Sequence, residues 1–107
     1  MIHVKIRKSG DLVIGFTATG HAEYAERGKD IVCAAASAIM QTAIIGINVY
    51  LGLDAEVTKF DGKLTFRLRY RNQESIDTRA ILSTMELGLR DLQKQYPAHI
   101  KLEEVKS

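Results

Sequence analysis

From Ile31 to Leu51 the chain carries no charged residue, and this stretch constrains the fold more than any other. An uncharged run of roughly 18 residues or more is long enough to cross a bilayer as a helix. This run, however, contains Ser37, Gln41, Thr42 and Asn48, and much of the remainder is alanine or glycine. Its insertion would be poor beside that of a leucine-rich span, so the expectation is a helix buried on most sides within a small protein. Asp30 is a natural N-cap, able to accept from the backbone N–H groups of Val32 or Cys33, and Gly52 supplies a stop. Cys33, Ser37, Met40, Ile44 and Leu51 fall along one side, and Ala35, Ile39, Thr42, Gly46 and Val49 along the other. An apolar stripe on both sides asks for a sheet on one and a second layer or a partner subunit on the other.

What flanks the helix supplies those layers. Ile2, Val4 and Ile6 alternate with His3, Lys5 and Arg7, and Leu12, Ile14 and Phe16 alternate beyond them. One shared apolar face requires Ile6 opposite Leu12, Val4 opposite Ile14 and Ile2 opposite Phe16. The loop is then Lys8-Ser9-Gly10, with Arg7 opposite Asp11. A second hairpin runs from Ala55 to Phe60, turns at Asp61-Gly62 and returns from Lys63 to Tyr70. It pairs Val57 with Phe66 and Ala55 with Leu68, and the alternating Arg67, Arg69 and Arg71 read as a solvated row. Ser75 caps a second helix over about Ile76 to Gln95, ended by Pro97. Its stripe is Ile81, Leu82, Met85, Leu89, Leu92 and Tyr96, with Arg79, Glu86, Arg90 and Lys94 away from it. Ile100 and Leu102 begin a last strand. The order β-β-α-β-β-α-β defines an α+β fold, a single domain over residues 1–107 with one mixed sheet covered by two helices.

At 107 residues, 46% hydrophobic and 26% charged, the composition is that of one globular domain. A net charge of +2 is too small to argue for direct nucleic-acid binding, and no membrane partner is expected. The one cysteine forms no internal disulfide, and Met1 leads straight into a strand pattern, so the expected compartment is the cytoplasm. No metal and no cofactor are expected. His3, His21 and His99 are scattered, no nucleophile elbow surrounds a serine, and Gly28-Lys29-Asp30 is too short for a phosphate loop.

The chemistry concentrates at Gly20-His21-Ala22 and Gly28-Lys29-Asp30-Ile31-Val32-Cys33-Ala34-Ala35, with Ser37 four residues beyond the cysteine. Cys33 lies in the first helical turn, where free N–H groups and the dipole favour a thiolate. A polar loop from Ala22 to Lys29, bracketed by Gly20 and Gly28, reads as a mobile lid that can fold His21 back over Cys33. Thiolate and imidazole together are the minimum apparatus of nucleophilic catalysis, and N–H groups at the helix start are the expected oxyanion donors. Taken alone, these residues also fit a small buried cysteine, a loop histidine and a capping aspartate.

The ordered motif G-H-A, a variable loop, G-x-D-I-V-C-A-A and the serine resembles the signature of the ribosomal-processing cysteine proteases, the Prp family. Ala36 departs from it, since valine is more frequent there, without touching the catalytic positions. The resemblance covers nearly the whole chain and implies a cysteine endopeptidase with a Cys33–His21 dyad, Gly20, Gly28, Asp30 and Ser37 supporting it. It also implies a substrate, the precursor of large-subunit ribosomal protein twenty-seven, whose N-terminal extension is removed after a pair of aromatic residues. It implies a homodimer as well. The alternative is a non-catalytic ribosome-assembly factor that binds the same extension; a weaker one is a redox-sensing module working through Cys33.

Overall fold

The first strand, β1 (Ile2–Ser9), buries Ile2, Val4 and Ile6 and leaves His3, Lys5 and Arg7 exposed, as a half-buried strand should. In the computed structural model, which describes residues 1–26, 29–73 and 75–106, it pairs antiparallel with β2 (Leu12–Thr19). The register differs from the one expected. Ile6 faces Phe16, Val4 faces Ala18, and Arg7 faces Gly15 rather than Asp11. Gly10 and Asp11 form the turn between the paired Ser9 and Leu12, with Gly10 at φ +62°. The register shifts between Arg7 and Lys8, leaving Ile14 as the extra residue of a bulge. That kink lets Val13 and Phe16, of opposite parity, both reach the helix-side core. Strict alternation along the sequence has no means of showing such a change of face.

The second hairpin follows its expected register, with β3 (Glu56–Phe60) pairing Val57 to Phe66 and Thr58 to Thr65 of β4 (Lys63–Arg67). Strand β4 ends earlier than the expected Tyr70, because Tyr70–Asn72 is a 3₁₀ turn; Arg71 therefore leaves the arginine row. Arg69 is held by Asp54 and Glu56. β4 pairs with β2, and the final strand β5 (Ile100–Lys106) runs parallel to β1, giving the order β3-β4-β2-β1-β5 in one five-stranded mixed sheet.

Two helices cover the same face. α1 (Ile31–Ile45) continues as a π-helical turn, Gly46–Tyr50, closed by Leu51 N–H on the Gly46 carbonyl, where a plain helix to Leu51 was expected. Val32, Ala36, Met40, Ala43, Ile44 and Ile47 are buried, while Ile31, Ile45, Val49 and Tyr50 are exposed. The helix is therefore covered on two sides rather than on most, since one sheet and one neighbouring helix reach only two faces. The neighbour is α2 (Ile76–Gln95), capped by Ser75 as expected. It approaches closely because Gly46 leaves room for Ile81, and Gly88 for Ile39. On α2, Glu86 is not on the solvated face: it is buried, taking Lys8 at 2.9 Å and Arg90 at 2.6 Å. Lys8 continues the inward phase of Ile2, Val4 and Ile6, which puts it within reach, and a second carboxylate, Glu104, lies 2.8 Å from the same ammonium. A cation placed on the inner side of the sheet draws its counter-charge inward with it.

Candidate active site

Strand β2 exits at Gly20, whose φ of +86° and whose close approach to the Met1 carbonyl admit no added Cβ without displacement. Gly20 N–H donates to the Gly62 carbonyl at 2.9 Å, so the end of β2 is tied to the β3–β4 turn. His21 consequently lies over that turn: a Cβ on Gly62 would stand 3.2 Å from His21 Nε2. Asp30 opens α1 on the other side of the cleft, and one turn of helix brings Cys33 to its edge, half-buried. The next turn adds Ser37. The cleft, about 500 Å³, is thus walled by β2, α1 and the second hairpin and holds Gly20, His21, Cys33 and Ser37 together. No hydrogen bond joins His21 to Cys33 among the described residues. The expected role of Gly28 lies outside them.

Asp30 does more than cap. Oδ1 accepts from Val32 and Cys33 N–H, each at 3.0 Å, and Oδ2 accepts from Tyr24 at 2.9 Å and Ala25 at 3.3 Å. Burial pushes this carboxyl up, but the four backbone donors outweigh it and hold Asp30 below its ordinary value. With both oxygens turned to the backbone, its hydrogen bonds leave His21 aside. The same geometry corrects the expected oxyanion site. Val32 and Cys33 N–H belong to the Asp30 side chain, and Ala34 N–H to its carbonyl, so the helix start has no free donor at these positions.

Among the described residues the Cys33 sulfur takes one hydrogen bond, the N–H of Ala22 donated to Sγ at 3.1 Å. Across the cleft floor, Lys59 Nζ donates to Gln41 Oε1 at 3.0 Å, and the Gln41 amide donates to Ser37 Oγ. With its oxygen so engaged as acceptor, the Ser37 hydroxyl proton is left to donate one helical turn from Cys33. Gln41, Lys59, Phe60 and Gly62 line the cleft without having been singled out from the sequence. The Asp61-Gly62 turn was legible, but not its docking on His21, which rests on the β2–β4 pairing. Among the described residues no three His, Cys, Asp or Glu side chains converge as metal ligands.

A half-buried cysteine at a helix start, facing a cleft shared with a histidine, is an arrangement suited to a thiol hydrolase. The family model for cysteine protease Prp matches residues 1–101, and the chain belongs to that family and is a cysteine protease. It is 33% identical over 86 residues to the ribosomal processing cysteine protease Prp of Staphylococcus aureus (strain Mu50), covering 78% of each chain. Against the protein of that name from Bacillus subtilis (strain 168) it is 28% identical over 111 residues, covering 95% of this chain and 96% of the other. The fold matches a crystal structure of an essential ribosomal processing protease Prp from S. aureus bound to a covalently linked product peptide. That match has a TM-score of 0.84 at 29% identity, covering 98% of this chain and all of the other. The S. aureus protease with a substrate peptide matches with a TM-score of 0.83 at 28% identity, over 98% and 100% of the two chains.

Proposed function

We propose that this protease removes the N-terminal extension of large-subunit ribosomal protein twenty-seven through a Cys33–His21 dyad. The observation that carries the reading is the Ala22 N–H on Cys33 Sγ inside the cleft that also holds His21. An N–H aimed at sulfur is worth more to a thiolate than to a thiol, because bonds to charged acceptors are the stronger ones. His21 takes the Cys33 proton, and the thiolate attacks the scissile carbonyl. The C–S bond forms as the carbonyl π-bond opens to an oxyanion, for which the Ser37 hydroxyl is the available donor in the cleft. Collapse breaks the C–N bond, and His21 returns the proton to the leaving amine. Water, deprotonated by His21, then hydrolyses the thioester and restores the thiol. Gly20 shapes the turn that aims His21, and Asp30 positions the loop and the helix start. The names and bound peptides of the S. aureus relatives support a peptide of ribosomal origin as substrate. The expected setting is the cytoplasm, and the expected assembly a homodimer.

Purified protein incubated with the extension-bearing precursor tests this. Wild type should shorten the precursor, whereas Cys33→Ala, and Cys33→Ser nearly as completely, should leave it whole with an unchanged fold. Equal cleavage by Cys33→Ala overturns the reading; intact precursor still bound by wild type would favour an assembly factor.

A further inference from the structure

The residue before the β5 strand, His99, lies 78 positions from His21 in the chain yet meets the same loop. Its Nδ1 stands 2.9 Å from the Ala22 carbonyl, and since a carbonyl only accepts, Nδ1 carries the proton and donates. The His99 ring is itself fixed. Its backbone N–H reaches the Tyr96 carbonyl at 3.0 Å, its carbonyl takes Ile2 N–H at 2.9 Å, and the Tyr24 ring packs edge-on against it at 5.2 Å. Tyr24 also packs edge-on against Tyr96 at 5.4 Å. Ala22, 1% exposed, is thus gripped on both sides, its carbonyl by His99 and its N–H by Cys33 Sγ. The next residue, Glu23, sits at φ +58°, a conformation that needs such anchoring to persist.

We infer that His99 is a positioning residue for the protease, holding Ala22 so that its N–H stays on the Cys33 sulfur and His21 stays at the cleft. Around this grip Glu23, Glu26 and Lys29 are exposed, while the Ala22 backbone serves the site. His99 touches no reacting atom; it acts through one peptide unit. The Nδ1–H donor is present in both the neutral Nδ1 tautomer and the imidazolium, so the grip does not depend on His99 losing or gaining a proton. Tyr24 is the ring packed on it, and Tyr96 packs in turn on Tyr24.

This inference rests on the dyad reading above, and its test separates the two. His99→Phe keeps a ring against Tyr24 and removes the donor; His99→Asn removes the ring and places an amide N–H close to the Nδ1 position. Two quantities are read: the rate of Cys33 alkylation by iodoacetamide at pH 7, which needs no substrate, and kcat and KM for an extension peptide. His99→Phe should slow alkylation and lower kcat about tenfold with KM within about twofold, while His99→Asn recovers most of both. Unchanged alkylation in His99→Phe overturns the inference, as does equal loss in both variants, which would mean ring packing alone. Slowed and rescued alkylation in a protein that leaves the extension peptide whole would sustain the positioning role and dismiss the dyad reading.

Discussion

Asp30 shows how one side chain can be misjudged by its commonest role. Asparagine caps a helix about as well as aspartate, which suggests a silent Asp30→Asn. Here, however, the carboxylate faces the helix with one oxygen and the loop with the other. An asparagine keeping its oxygen on Val32 and Cys33 presents N–H groups to the N–H groups of Tyr24 and Ala25. We expect Asp30→Asn to keep the helix, lose about 1–2 kcal/mol of stability, and fall roughly tenfold in turnover as the loop loosens. Peptide turnover and thermal midpoint check this; full activity would show that the loop anchor is dispensable. The pH dependence has a definite sign. The folded carboxyl titrates below the ordinary 3.8, so its contribution is complete above that value and is lost as pH falls through the lower folded one. Protection of the Tyr24 and Ala25 amides, relative to their intrinsic exchange at each pH, should fall over that acid window in wild type and be low at all pH in Asp30→Asn.

At the scale of elements, the β3–β4 hairpin is part of the site although it carries no reactive residue. Gly62, at φ +73°, both makes the turn and leaves the space that the His21 ring fills. Gly62→Ala should cost about 1 kcal/mol from the left-handed backbone and lower kcat more than that loss implies, because the methyl pushes on the imidazole. Comparing turnover with the unfolding midpoint separates the two effects, and a proportionate loss would argue against the ring contact. At the other end of the sheet, Lys8 links β1 to α2 and β5. The Glu104 carboxylate raises the Lys8 ammonium above its ordinary 10.5, partial burial opposes this, and Glu86 adds to it. Lys8 in turn lowers Glu104 below 4.5. The Lys8 contribution is present below 10.5 and lost as pH rises through the higher folded value; that of Glu104 is present above 4.5 and lost in acid. Glu86→Gln removes one charge from the corner and should cost about 1–3 kcal/mol, read from denaturant unfolding at pH 7. Activity should survive, since this corner lies away from the cleft.

For the molecule as a whole, the open question set by α1 is what covers its third side. Val49 is 73% exposed and Ile45 57%, beside an apolar groove between α1 and α2 that includes Ile39, Tyr50, Ile81 and Thr84. A twofold pairing of such faces takes this area out of water, which supports the proposed homodimer. Val49→Glu with Tyr50→Glu should then shift sedimentation at micromolar concentration from dimer to monomer, with each monomer still folded. A wild-type chain that sediments only as a monomer would count against the pairing.

The element order, both helix caps and the second hairpin were legible along the chain, and so was the motif on which the Cys33–His21 proposal stands. Each depends on neighbours: a period of two or 3.6, an aspartate before a helix, Asp-Gly between strands, a motif of fixed order. The first hairpin was read in the wrong register because a bulge trades one position of alternation for a kink, and Val13 and Phe16 keep their apolar character whichever face they take. Glu86 was placed outside because its burial depends on Lys8, which shares the inward phase of Ile2, Val4 and Ile6 and sets a cation against α2. The donors at the start of α1 were counted as free although the Asp30 cap takes both Val32 and Cys33 N–H, and only the folded loop shows the same carboxylate accepting from Tyr24 and Ala25 as well. His99 and Gly62 were invisible as contributors for one reason. Their contacts with the loop that carries His21 join residues far apart in sequence, and such contacts exist only once β5 has paired with β1 and β4 with β2. The residues proposed to react were therefore named by the chain, and what holds them in place was decided by the sheet.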